Sequence, residues 1–241
     1  MTIEMPIVEY LCPACGNPYF GTAVGSYSTF RLTKFSDGSI MNDFSFNLWL
    51  TRCPKCRRFF AKKHLFKIPM TSRVARFIRD DMQSEIDIKR TAASTNYERQ
   101  ISRMYGNVDC SLDKDETSIE FFEKALEEKL YFPPDISDSE KQEINIELHK
   151  ALWWEYNKNR QACDDQKYMN LCKKIIELLA NRSENDEVLL TVAELYRNIG
   201  DFEQSTAVLK CVSLNSKTQS FVKCIEQQNK LRKEKTVVVE N

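Results

Sequence analysis

Two cysteine pairs of the same design, Cys12-Pro13-Ala14-Cys15 and Cys53-Pro54-Lys55-Cys56, constrain this chain more than any other feature. Two residues separate the cysteines of each pair, so one tight turn aims both thiolates at a single point. Two such turns supply four sulfurs, a closed tetrahedral donor set for a thiophilic metal ion. Proline after the first cysteine biases each turn, and Gly16 after Cys15 lets the backbone amides close on the sulfurs. Thirty-seven residues, 16 to 52, separate the pairs, which leaves room for a hairpin. Unrelated thiols have no reason to fall twice into the same C-P-x-C frame.

Residues 1–68 read as β. Thr29 to Phe35 and Phe44 to Leu50 both alternate apolar and polar side chains, the period of a half-buried strand. Between them stands Ser36-Asp37-Gly38-Ser39, and Asp-Gly is a strong hairpin signal. Phe59-Phe60, or Leu65 to Ile68, supplies a further short strand. Two metal knuckles joined by an antiparallel hairpin form the layout of a zinc ribbon. Fewer than about 70 residues rarely make a self-sufficient core, so the metal is expected to supply much of the stability. Tyr10 to Tyr19, taken with Trp49 and Cys53 to Cys56, resembles rubredoxin, which implies a single iron on the same four ligands and electron transfer. Arg57 departs from that pattern, since rubredoxin has glycine there. The surface beyond the second knuckle is also basic, unlike the acidic rubredoxin type. Zinc is therefore the expected ion and iron the alternative. Four thiolates close the shell, so no catalytic zinc is implied.

Residues 69–115 read as a linker containing a helix over Ser72 to Ile88, with Val74, Phe77, Ile78 and Met82 on one side. Residues 116–235 read as helical. Ile119, Phe122, Leu126 and Leu130 recur every three to four residues, and Pro133-Pro134 is expected to end that helix. Ser137 to Glu140 is a capping-box start for a helix carrying Ile144, Leu148, Ala151, Leu152 and Tyr156. A third helix is expected from Gln166 to Ala180, and Ser183 to Asp186 caps a fourth that runs to Gly200. Leu189, Val192, Ala193 and Tyr196, then Gly200-Asp201-Phe202, then Ser205, Leu209 and Val212, resemble one tetratricopeptide (TPR) repeat over about 30 residues. That resemblance implies helical hairpins stacked on one another, because a single repeat cannot bury its own face. The closing proline of the repeat is missing. The tail from Leu231 is expected to fray. The expected fold class is α+β: a small antiparallel ribbon followed by a mostly helical domain.

Charge supports two domains. Residues 1–75 hold ten Lys/Arg and four Asp/Glu; the remainder holds 25 against 31. Arg52, Lys55, Arg57, Arg58, Lys62 and Lys63, interleaved with Phe59 and Phe60, are candidate nucleic-acid contacts, although a solvated face over a core Phe pair is the commoner meaning. Trp153, Trp154 and Tyr156, with Tyr196, are candidates to line a peptide groove, and core packing is again the commoner meaning. No run is apolar enough to span a membrane. The first residues lack a basic stretch followed by an apolar one, so no export is expected. Scattered single thiols fit a reducing cytoplasm. There is no phosphate-cradling glycine loop, G-x-S-x-G elbow or H-E-x-x-H. These features point to a non-catalytic protein with a protein or peptide partner, or to one that contacts nucleic acid.

Overall fold

A computed structural model describes residues 7–22, 34–39, 50–61, 63, 66–68, 116–160, 163–182 and 185–239. The helix expected over 72–88, the stretch 89–115, Lys62 and all but Lys34, Phe35 and Leu50 of the strands expected over Thr29–Phe35 and Phe44–Leu50 lie outside the described residues. The chain forms two compact units. The first comprises Met1–Ser28, Phe44–Thr117 and Glu127–Ile136; the second comprises Thr29–Asp43, Ser118–Leu126 and Ser137–Asn241.

In the first unit, β1 (Ile7–Leu11) and β2 (Pro18–Thr22) pair antiparallel with Leu11 opposite Pro18, so the first cysteine pair caps a hairpin. β3 (Leu50–Arg52) and β4 (Phe59–Ala61) pair antiparallel with Arg52 opposite Phe59, and the second cysteine pair caps that hairpin. β5 (Phe66–Ile68) adds to the free edge of β1, giving the order β2-β1-β5. Both stretches offered as the further strand, Phe59-Phe60 and the one ending at Ile68, are therefore strands. Each cysteine pair closes its own short hairpin. The core here is small: Tyr10, Cys12, Cys53 and Phe60, with Ala14, Cys56 and Tyr131 packed against them. Two of the four thiols are thus core residues. The Tyr131 N–H donates to the Phe59 carbonyl at 2.9 Å, and its ring meets Phe60 edge-on at 5.6 Å.

The second unit is helical. Its elements are α1 (Ser118–Glu128, in this unit as far as Leu126), α2 (Asp138–Lys158), α3 (Asp165–Leu179), a short 3₁₀ turn (Ala180–Arg182), α4 (Asp186–Asn198), α5 (Phe202–Leu209) and α6 (Gln219–Lys230). Helix α1 stops before the prolines expected to end it. Lys129 takes a left-handed φ of 61° and turns the chain out, as a C-terminal cap residue does. The Ser137 hydroxyl accepts from the Glu140 N–H, as the capping box predicts. Asp164, Asn185 and Asp201 cap α3, α4 and α5 in the same way. Gly200, at φ 81°, makes the turn from α4 into α5. Ala193, Leu209, Val212, Val222 and Ile225 join α4, α5 and α6 in one apolar cluster. Full burial of each larger side chain contributes about 1.5–3 kcal/mol.

Two features of this unit depart from expectation. The tail does not fray: Val237–Val239 is hydrogen-bonded to Lys34–Ser36, and Val239 is buried. Its β-branched residues supply a strand-like partner there, with Phe35 and Val238 bridged antiparallel. The Ser36–Ser39 turn forms, with the Phe35 N–H donating to the Ser39 carbonyl and the Gly38 N–H to the Phe35 carbonyl, both at 2.9 Å. It belongs to the helical unit rather than to the ribbon.

Candidate metal centre

The two knuckles repeat one hydrogen-bond pattern. The Gly16 N–H donates to the Cys12 carbonyl at 2.9 Å and the Cys12 N–H to the Asn17 carbonyl at 3.0 Å. The Arg57 N–H donates to the Cys53 carbonyl at 2.9 Å and the Cys53 N–H to the Arg58 carbonyl at 3.0 Å. The turn needs a left-handed residue after its second cysteine, and Gly16 (φ 67°) and Arg57 (φ 62°) both adopt it.

These turns bring all four Sγ atoms within 4.8 Å of one another. Cys12 and Cys56 lie 3.7 Å apart, and Cys15 and Cys53 3.8 Å apart. A tetrahedron with metal–sulfur bonds of about 2.3 Å has edges of about 3.8 Å. The donor set therefore fits a tetrahedral thiophilic ion held by Cys12, Cys15, Cys53 and Cys56. Four-thiolate chemistry serves zinc and iron alike. Burial pushes the Cys12 thiol far above its ordinary range, against the pull of the Cys15 and Ala14 backbone N–H groups. Burial likewise raises Cys53. At Cys15 burial also opposes the charge, but the Asn17 N–H and the other three thiols outweigh it and lower the pKa. A cation at the centre reverses this resistance, since it favours every thiolate at once.

No family model, curated protein or solved structure matches this chain.

The basic residues around the second knuckle divide. Arg52 is buried and bidentate to Glu116, with its two terminal nitrogens 3.2 and 2.6 Å from the carboxylate oxygens. Its guanidinium also lies 5.2 Å from the Phe59 ring centre. This corrects its place among the nucleic-acid contacts: its charge is neutralised inside the unit. Lys55, Arg57, Arg58 and Lys63 are exposed, and Arg58 stacks on Tyr131 at 5.2 Å.

The aromatic candidates divide as well. Trp153 is 0% exposed and Tyr156 3%, so both are core residues and neither faces a peptide. The Trp153 indole donates to the Tyr168 hydroxyl at 3.2 Å and to Asn198 Oδ1 at 3.1 Å, which satisfies its polar atom within the core. Trp154 and Tyr196 are half-buried. His149 Nδ1 lies 2.7 Å from the Asn145 carbonyl, so it must carry the proton there; burial lowers the pKa of the ring. Sequence reasoning missed Glu116, Tyr131 and the docked Ser36-Asp37. The Ser36 to Ser39 stretch signals a turn, but nothing local in the sequence marks where that turn docks or which residues Glu116 and Tyr131 meet.

Proposed function

We propose that the protein is a non-catalytic, cytoplasmic adaptor. A structural zinc ion on Cys12, Cys15, Cys53 and Cys56 stabilises the ribbon, and the helical unit offers TPR-like hairpins to a protein or peptide partner. One observation supports the structural role of the metal: four thiols converge within 4.8 Å, two pairs of them at the edge length of a metal–sulfur tetrahedron, and four thiolate ligands would leave no open coordination position for substrate. The α4–α5 hairpin, with Gly200 at its turn and α6 packed on both helices, supports the helical-repeat part of the reading. Elemental analysis tests the metal. One zinc per chain in a colourless protein agrees with it; iron, with the absorbance of a ferric thiolate, would replace it with the rubredoxin-like electron carrier. Affinity capture with the full chain, with the recovered proteins then purified and rebound, tests the adaptor role. Capture of nothing that rebinds would sink it.

The exposed Lys55, Arg57 and Arg58 favour a second reading, a nucleic-acid-associated factor that contacts DNA or RNA through the ribbon. Binding to single-stranded oligonucleotides that falls steeply with salt, and that Arg57→Glu and Arg58→Glu together abolish, would establish it. No binding at low salt removes it.

A further inference from the structure

The Ser36–Ser39 turn lies in the helical unit in the manner of a bound peptide. It is self-contained: the Asp37 carboxylate accepts from the Ser39 N–H at 2.9 Å, and Gly38 supplies the left-handed position at φ 80°. Groups of Ser36 and Asp37 are received by the helices and the tail. The Trp154 indole donates to the Asp37 carbonyl at 3.1 Å, and Asn157 Nδ2 to the Asp37 carboxylate at 2.7 Å. The Ser36 hydroxyl donates to Glu194 at 2.6 Å, and its N–H to the Val237 carbonyl at 2.8 Å. Ser36 and Asp37 are each only 3% exposed.

The receiving groups are fixed by partners of their own. The Tyr168 hydroxyl donates to Asn157 Oδ1 at 2.6 Å, which turns the Asn157 amide nitrogen toward Asp37. The Tyr168 hydroxyl in turn accepts from the Trp153 indole. Glu194 is clamped by Arg197, whose guanidinium also donates to the Lys233 carbonyl. Such a site is pre-organised for a hydroxyl residue followed by an aspartate. Asn157 also borders an open cavity of about 680 Å³ walled by Arg160, Asp165 and Tyr168. The hydrogen bonds that hold the turn can exchange for bonds to water at little net cost.

We propose that this surface is a peptide-recognition site for a Ser-Asp-Gly turn on a protein partner, and that residues 34–39 occupy it in cis until the partner displaces them. The proposal rests on the adaptor reading of the helical unit and names the chemistry of its partner.

The test uses the full chain and a fluorescent peptide copying residues 31–42, followed by anisotropy. The Asp37→Ala chain should bind the peptide at least ten-fold more tightly than the unaltered chain, because the tethered competitor is weakened. A peptide carrying the same Asp37→Ala change should bind neither. A folded Asp37→Ala chain that does not bind the unaltered peptide overturns the proposal. Hydrogen exchange on the unaltered chain decides independently, including where Asp37→Ala fails to fold. The Ser36 and Val239 amides should exchange at least 100-fold faster than interior amides of α4, through opening of the turn alone. Equal rates would mean that the turn leaves only when the whole unit unfolds, which overturns the proposal. Partner capture that is indifferent to Asp37→Ala leaves the adaptor reading standing and overturns this one alone.

Discussion

The first and second knuckles share one backbone but differ on both flanks. Before the first cysteine stand half-buried Leu11 in one and fully buried Arg52 in the other. After the second cysteine stand Gly16 and Arg57, both left-handed. The first knuckle uses residues suited to their places. The second accepts a charge in its interior and a side chain in a conformation that disfavours it. The two keep in common two cysteines, the proline after the first, two backbone hydrogen bonds and a left-handed residue after the second, which together make the turn that gathers the sulfurs. The side chains at the remaining positions differ, and in the second knuckle Lys55, Arg57 and Arg58 are exposed.

The largest expected effect treats the knuckles as equals. Removing the metal with a chelator, or changing either Cys12 or Cys53 to Ser, should unfold the ribbon. The zinc ion proposed above would contribute about 10–16 kcal/mol, as much as the whole stability of an ordinary domain. Hydrogen exchange read by mass spectrometry should show loss of protection in β1 to β4 with α2 to α6 still protected. Retained protection in the strands would mean that the small cluster of Tyr10 and Phe60 suffices without metal.

The next effect separates them. Glu116→Ala leaves Arg52 buried without its carboxylate, and breaking such a pair costs about 3–5 kcal/mol. Leu11→Ala, at the matching position of the first knuckle, removes only half-buried apolar surface and should cost less than about 2 kcal/mol. Denaturant titration of the metal-loaded chain measures both. Equal losses would show that the Arg52–Glu116 pair is no more important than the leucine it stands opposite in the comparison.

The cysteine site was legible because its signal is local and repeated: spacing, proline and donor type all sit within four residues. The helices were legible from period and caps, as at Ser137 and Gly200. What could not be read are pairings between distant residues of opposite or complementary chemistry. Arg52 and Glu116 are 64 positions apart, and Asp37 and Asn157 are 120 apart. Nothing local marks either as a partner of the other. Arg52 reads as a surface cation because its neighbours in sequence are surface cations. Trp153 and Trp154 were offered together, yet adjacent helix positions point about 100° apart. One ring went into the core, and the other donates to a turn that only the fold could bring to it.

The smallest effects bear most directly on the comparison, because they should have opposite signs. A Cβ added at Gly16 meets no atom within 4 Å, so Gly16→Ala isolates the backbone penalty for φ 67°. That penalty is about 1 kcal/mol, and it should appear as weaker metal retention in a chelator competition. Arg57→Gly removes the same strain from the second knuckle but loosens the unfolded chain, for a net gain of about 0.5 kcal/mol. Should Arg57→Gly weaken retention instead, the arginine side chain itself supports the knuckle, and its left-handed backbone is offset by contacts glycine cannot make. With the expected signs, the two knuckles differ in how well residue 16 or 57 suits a turn that the sulfurs impose on both.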